Sequence, residues 1–511
     1  MPVSVGNNRR IARNTLLLYV RMLFTMLVSI YTSRVVLDVL GVDDYGLYQT
    51  VGGIVGFLAF INGALSGGSS RFLTFALGRN DRKKLEETFS TTFLIHLALA
   101  GAIAVLAETV GIWFLHHQLQ IAPERLEAAV YVFHLSIVTA FFNLVQTPFS
   151  AAIIAHEKMG VYAYVSIFEV TLKLLVVYLL GLGDFDKLVL YATLLCILQV
   201  GLVLFYLGYS RCTFSEVRFS VSCSRPVLRE MLGYSGWNLL GSISVSLNNQ
   251  GILILLNMFF TPAVVASRAV SLQVKMAADQ FVNNFRTAVN PQIIKKYAAD
   301  DAAGSRRLLL SSTKYSFYLM LLLGLPICLM ADPLLHIWLK EVPPYAVPFL
   351  RIAIMTSVFN VFSSSFYTAF AATGRMRENA LSSPITGILC FLSVWLMFRS
   401  GAGPLAMSWG QLVMVLLLSF GVKPYFMVRY AGYSWKELLR LFRVCVWVFL
   451  LALPVPLAAY RYIDPSTWQG VLLQGGVIGC SVPAVIWTAG IDKPTRGKLL
   501  NFIKQKIQRV K

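Results

Sequence analysis

From Leu188 to Ser210 the chain runs LVLYATLLCILQVGLVLFYLGYS without one charged side chain, and stretches of this kind recur almost to its end. A helix that crosses a bilayer needs about 20 such residues, since hydrocarbon offers no water to satisfy exposed backbone groups. Of the 511 residues, 57% are hydrophobic and 13% are charged, where soluble domains carry about a quarter charged residues. The expected fold is therefore an all-α polytopic membrane protein. Hydropathy places about fourteen spans over residues 14–37, 46–77, 87–112, 127–154, 160–181, 188–209, 232–258, 262–290, 309–331, 346–372, 379–398, 404–428, 441–460 and 468–490. No connection is long enough for a separate catalytic domain.

The 44 Lys and Arg against 24 Asp and Glu leave a net charge of +20, which in a polytopic chain first reports topology. Cations collect at Arg9, Arg10 and Arg13, in RNDRKK after span 2, at Lys158, at Arg211, Arg218, Arg225 and Arg229, and at Lys295, Lys296, Arg306 and Arg307. Arg375, Arg377 and the run from Lys423 to Arg443 continue the series. The intervening connections hold only Arg125, Lys187, Lys340, Arg399 and Arg461, beside acids such as Asp38, Asp43, Asp44, Asp184 and Asp186. The positive-inside rule then puts both termini in the cytoplasm and makes the span count even. The N-terminal MPVSVGNNRRIARNTLLLYV reads as an uncleaved first helix, too long for a signal core. The tail KLLNFIKQKIQRVK alternates Leu and Ile with Lys and Arg as a helix lying on an anionic leaflet does. Membrane lipids are thus expected partners and nucleic acid is not.

No cysteine falls in an external connection; Cys212 and Cys223 share a cytoplasmic loop at a spacing that fits no zinc site. His96 and His134 read as helix-packing groups. No cofactor or metal is expected, and no nucleophile-base motif or Gly-rich phosphate loop appears.

TAFFNLVQTPFSAAIIAHEKM from Thr139 aligns with TSVFNVFSSSFYTAFAATGRM from Thr356, with identities at Thr139/Thr356, Phe142/Phe359, Asn143/Asn360, Phe149/Phe366, Ala152/Ala369, Ala155/Ala372 and Met159/Met376. A duplicated bundle follows: two pseudo-symmetric six-helix lobes around a central cavity, with two extra C-terminal helices. The domain plan is an N-lobe over 1–210, a cytoplasmic linker over 211–231, a C-lobe over 232–428, spans 13 and 14 over 429–490 and a basic amphipathic tail over 491–511.

Cations inside spans are the strongest functional signal. Arg21, Arg34, Arg71, Lys173, Arg268, Lys275, Arg286, Lys314 and Arg351 would each cost about 3 kcal/mol facing lipid at a helix centre. Arg34, Arg71, Arg286, Lys314 and Arg351 lie near span ends, where snorkelling competes with lining a cavity. Lys173 follows Glu169 by four residues and reads as its ion-pair partner. On span 1, Arg21, Thr25, Ser29 and Thr32 recur at helical spacing; on span 7, Ser235, Asn238, Ser242, Ser246 and Asn249 do so. Span 8 steps through Arg268, Ser271, Lys275, Asp279, Asn283, Arg286 and Asn290 on one face. Serine and asparagine alone would serve as interhelical glue. Three cations against one acid favour a water-filled, positive cavity, and arginine forks suit diphosphate. The glycines at 52, 56, 63 and 67 in span 2 are spaced for close helix contact.

RNTLLLYVRMLFTMLVSIYTSRVVLDVLGVDDYGLYQTVGGIVGFLAFINGALSGGSSRFLTFALG and VASRAVSLQVKMAADQFVNNFRTAVNPQIIKKYA resemble Wzx-type polysaccharide-biosynthesis proteins of the MOP superfamily, most specifically in these two blocks. The resemblance implies a flippase that moves undecaprenyl-diphosphate-linked repeat units from the cytoplasmic to the periplasmic leaflet of a bacterial inner membrane by alternating access. It is not an enzyme in this reading, and its partners would include lipid-linked oligosaccharide and other polysaccharide-assembly proteins. Related lipid II flippases hold diphosphate with arginines on spans 1, 2 and 8; Arg21 and Arg268 match in helix and depth, Arg71 in helix only. Glutamine is common in the family where Arg286 stands, and many members have twelve spans. Two other readings stay open: a MATE-type cation-coupled exporter, which should carry buried acids, and a membrane polymerase or ligase, which should show a long catalytic external loop.

Overall fold

The computed structural model describes residues 5–497 except 59, 79, 80, 157, 182, 183, 218–223, 374, 375, 466, 494 and 495, with the side chains of 5–19, 60, 63, 64, 67, 71, 78, 232, 234–238, 240, 288, 291 and 376–380 also excluded. Among these residues there is no strand. The helices in chain order are α1 (Val5–Leu40), α2 (Val42–Leu58), α3 (Phe60–Gly78), α4 (Arg82–Gln118), α5 (Leu126–Ala155), α6 (Met159–Leu179) and α7 (Lys187–Thr213). Then follow α8 (225–259), α9 (Pro262–Ala298), α10 (Ala302–Leu329), the short α11 (Ala331–Trp338), α12 (Ala346–Thr373) and α13 (Met376–Arg399). The last three are α14 (Ala406–Tyr430), α15 (Trp435–Tyr462) and α16 (Trp468–Gly490).

Eleven helical segments, in α1, α4 to α7, α10 and α12 to α16, are long and apolar enough to cross a membrane, and the chain is a multi-pass membrane protein. The expected spans 2, 7 and 8 are helical as α2 with α3, α8 and α9, but stand outside those eleven. In α9 the reason is its charged and amide side chains. The basic tail from residue 498 lies outside the described residues.

Helix starts follow from local chemistry. The Asp81 carboxylate accepts from the Lys84 N–H ahead of α4, and Asp186 accepts from the Leu188 and Val189 N–H groups ahead of α7. Ser434 and Glu437 form a reciprocal capping box at α15. Four helices carry a π turn: Ala107–Gly111 in α4, Leu247–Gly251 in α8, Leu417–Val422 in α14 and Ile486–Gly490 in α16.

The chain forms two compact units, one of Met1–Val270, Leu339–Pro344 and Ser383–Pro404, the other of Ser271–Trp338, Tyr345–Ser382 and Leu405–Lys511. In the first, α5 packs along α4 and α7, α1 along α6, and α3 along α8. Its core sets Phe89 and Phe149 at 5.7 Å amid Leu73, Ile153 and Leu202. At the start of α2, Gly46 lies so close to Pro262 that an added Cβ would stand 1.9 Å from the Pro262 carbonyl oxygen, so no other residue fits. Outside the spans, Arg125 joins two helix starts: Nε lies 2.9 Å from Asp44 Oδ1 and Nη1 2.5 Å from Asp186 Oδ2.

In the second unit α12 packs along α10 and α14. Phe362, Phe420 and Phe442 form an aromatic cluster with centroids 4.9 to 5.4 Å apart. The two C-terminal helices α15 and α16 dock on α10, where the Tyr318 hydroxyl donates to the Gly490 carbonyl at 3.1 Å.

The internal repeat has a structural counterpart. Spans 4 and 10 are α5 and α12, and each packs between the helices that precede it and come two after it in its own copy. Phe149 and Phe366 are both fully buried. Thr139 donates to Leu135 and Thr356 to Ile352, each at 2.8 Å.

Candidate substrate site

On α1, Arg21 turns toward α6. Its guanidinium lies 4.8 Å from the Tyr162 ring centroid, and Nη1 lies 3.4 Å from Ser166 Oγ. Nε is buried without a hydrogen bond. Thr25 bonds back to the Met22 carbonyl, and Ser29 is exposed. The expected span-1 stripe is therefore divided between a cation held against an aromatic face and a hydroxyl absorbed by its own helix.

On α8, Ser242 is half-buried and Asn249 exposed. Ser246 donates to the Phe57 carbonyl at 3.2 Å, and Asn248 to the Gly387 carbonyl at 3.0 Å. Part of this face is thus helix-packing glue. The Gln250 side chain lies 3.6 Å from where Gly53 and Gly56 would carry a Cβ, so two span-2 glycines admit a polar side chain from α8. The side chains of Arg71 and Asn238 lie outside the described residues, as do the surroundings of Gly63 and Gly67.

The α9 face divides between the two units. Arg268, in the first, is only 3% exposed. In the second, Lys275 Nζ lies 2.6 Å from Asp279 Oδ2, so those charges cancel. Asn283 is exposed, with Arg286 Nη1 3.4 Å from its Oδ1. Ser271 is buried and donates to the Ala346 carbonyl, a packing role.

Arg286 does not snorkel. It is 8% exposed, donates from Nη2 to the Ser364 carbonyl, and leaves Nε without a hydrogen bond. Next to it in sequence terms lies nothing that announced its neighbour: Lys423 of α14, counted from the sequence among cytoplasmic cations, is 5% exposed and donates to the Ser363 carbonyl at 2.9 Å. The legible signal was that Lys423 falls inside the 404–428 span. Two buried cations thus end on adjacent carbonyls of α12. Lys314 and Arg351 have local partners instead, Asp492 at 3.4 Å and the Tyr460 hydroxyl at 3.2 Å.

Charge bookkeeping decides what the cations want. Among the described residues the acids deep in spans are Glu108, Glu169 and Asp279, paired with His134 at 3.0 Å, Lys173 at 2.6 Å and Lys275 at 2.6 Å. None is left for Arg21, Arg286 or Lys423. Carbonyl dipoles and an aromatic face offset part of the desolvation of these cations, and an anion would offset more.

A family model described as MatE matches residues 18–179. No curated protein matches the chain by sequence. Among solved structures, the lipid II flippase MurJ in an inward closed conformation is similar at TM-score 0.69 and 10% identity, over 92% of this chain and 99% of that one. An inward-facing multidrug resistance MATE family transporter of the MOP superfamily is similar at TM-score 0.68 and 14% identity, over 81% and 95%. A MOP superfamily transporter from Pyrococcus furiosus, described as having a binding pocket of reverse polarity, is similar at 0.59 and 14%, over 83% and 96%. The all-helical chain therefore has the two-lobed MATE-like fold found in MOP superfamily transporters and flippases.

Proposed function

We propose that the protein flips undecaprenyl-diphosphate-linked oligosaccharide repeat units from the cytoplasmic to the periplasmic leaflet of a bacterial inner membrane by alternating access, for O-antigen, capsule or exopolysaccharide synthesis. The observation that carries this reading is the surplus of unpaired cations: half-buried Arg21 and buried Arg286 and Lys423 have no acidic partner among the described residues. A diphosphate supplies the missing charge, and the arginine forks suit its oxygens. In this reading Arg21, Arg268 and Arg286 hold diphosphate, with Arg71 and now Lys423 adding to the field, while Lys275, neutralised by Asp279, offers only its remaining N–H donors. Residues 1–210 and 232–428 act as the two lobes, 211–231 as their cytoplasmic linker, 429–490 as two appended helices and 491–511 as a basic tail, with both termini cytoplasmic.

The MatE match over residues 18–179 favours a second reading, a MATE-type exporter of drugs or metabolites. The pairing of every described deep acid with a base speaks against organic-cation binding. Deleting the gene in its native strain separates the two. Lipid-linked oligosaccharide accumulating on the cytoplasmic leaflet supports flipping; unchanged glycolipids with altered drug sensitivity support the exporter.

A further inference from the structure

Glu169 and Lys173 have no part in the site above, yet they line a cavity of about 330 Å³ inside the first unit. The cavity lies among α2, α3, α5, α6 and α7, and its polar wall also carries Tyr48, Asn62, Asn143 and Gln199. Several hydrogen-bonding groups there are unused. Asn62 accepts from Thr147 at 3.2 Å through Oδ1, which leaves its amide N–H groups free. Gln199 donates to Gln146 at 2.9 Å. The Asn143 side chain and the Tyr48 hydroxyl have no hydrogen bond among the described residues, and Glu169 spends only Oε1 on Lys173.

Asn143 is exposed and Asn62 and Tyr48 half-buried, so these free amide and hydroxyl groups face an open cavity where a ligand can reach them. The wall itself fixes that ligand's class. Glu169 and Lys173 cancel, so neither a cation nor an anion finds net charge. The remaining groups are planar amides that both donate and accept, beside a phenol ring, while Leu135, Val55 and Leu195 complete an apolar side. Amides facing an apolar wall match a ring with hydroxyls on its rim and C–H groups on its face. The volume lies at the lower end of about 300 to 1,000 Å³ for small-ligand pockets.

The position fits as well. Ser166, which meets Arg21, and Glu169, which lines the cavity, are one turn apart on the same face of α6. That is about 5 Å of helix rise, the reach from a phosphate to the sugar attached to it. We propose that this cavity is a carbohydrate subsite holding one sugar ring of the transported glycan, with Asn62, Asn143 and Gln199 bonding ring hydroxyls and the Glu169–Lys173 pair bonding two adjacent hydroxyls. The proposal rests on the flippase reading and adds to it the residues that choose the sugar.

The test is saturation-transfer NMR on the purified full-length protein with a panel of methyl glycosides: glucoside, galactoside, mannoside, rhamnoside and N-acetylglucosaminide. At least one should bind the parent protein. Its signal should fall at least fivefold in Asn143→Leu and Gln199→Leu, and persist in Lys340→Ala on the external surface. Should either leucine variant misfold, Asn143→Asp and Gln199→Glu should reorder the panel. A parent protein that binds no glycoside, its cavity holding water only, overturns the subsite, as does binding indifferent to Asn143 and Gln199. The gene deletion reads the flippase separately: accumulated lipid-linked glycan beside a protein that binds no glycoside sinks the subsite alone, and glycoside binding without accumulation sinks its link to transport.

Discussion

A lysine without a carboxylate is the residue-scale feature that most separates this chain from a self-neutralised bundle. Lys423 is buried and held by one carbonyl, and replacing a buried charge by an apolar chain of similar length is often neutral or stabilising. Lys423→Met should therefore leave the melting temperature unchanged or raise it, by the equivalent of ~1 kcal/mol or more, while glycan export falls; a thermal melt beside an export assay reads both. Arg21→Ala and Arg268→Ala should lower export at least tenfold at unchanged protein level. Lysine at either position should restore it only in part, because a point charge cannot copy the bidentate fork. Full export in both alanine variants would remove these arginines from the substrate site. Outside the spans, burial pushes Asp186 upward, but the hydrogen bond from Arg125 and the backbone N–H groups of α7 outweigh it and hold its carboxyl below the ordinary 3.8. Its contribution to stability is thus present above about pH 4 and lost as pH falls through the lowered value. Asp44, on the same Arg125, is raised by burial, so its contribution has the opposite sign and fades as pH rises through its own value. Asp186→Asn should flatten the acid limb of a melting-temperature profile, by about 1 kcal/mol at most for so exposed a pair.

At the scale of the helix, periodicity found the polar face of α9 but not what each position touches. Ser271 is buried against the Ala346 carbonyl, Asn283 is exposed, and Phe281 is 41% exposed without being polar. Cysteine at Asn283 should react with a membrane-impermeant thiol reagent in a background lacking the native cysteines. Cysteine at Ser271 or Val270 should be protected by packing, and at Phe281 by lipid. An unlabelled cysteine at Asn283 would show that α9 borders no aqueous path there. The charge-free run from Leu188 to Ser210 made α7 legible at once, because a span that long has no other use. The repeat was legible for a different reason: Phe149 and Phe366 occupy the same packing position in two copies. Lys423 and Arg286 were not, since a cation at a span end looks the same in sequence whether it snorkels to water or turns toward a carbonyl. Nor could sequence bring Asn62, Asn143 and Gln199 to one cavity from three helices.

For the whole molecule, charge asymmetry is the readable quantity. A reporter fused after residue 80, 220 or 300 should report cytoplasm, and one near residue 118, 184 or 464 periplasm, because the basic connections alternate with nearly cation-free ones. One reversed pair would overturn the topology. The two compact units do not follow the bounds of the repeat: residues 232–270, 339–344 and 383–404 belong to the first unit, through long-range packing that no local pattern encodes.

The π turn at Leu247–Gly251 behaves as one residue in excess of a regular helix. Everything C-terminal to it, Ile252 to Phe259, is rotated by about 100° relative to a plain 3.6-residue extrapolation. A wheel drawn through all of α8 therefore misphases its two halves. Such an insertion is also a reversible ratchet: removing a single residue there, Asn249 for instance, should regularise the helix while swinging the buried Leu255 and Leu256 off their contacts. Circular dichroism would show helix content retained, and melting would show tertiary stability lost, so that the shorter helix is the better helix and the worse protein.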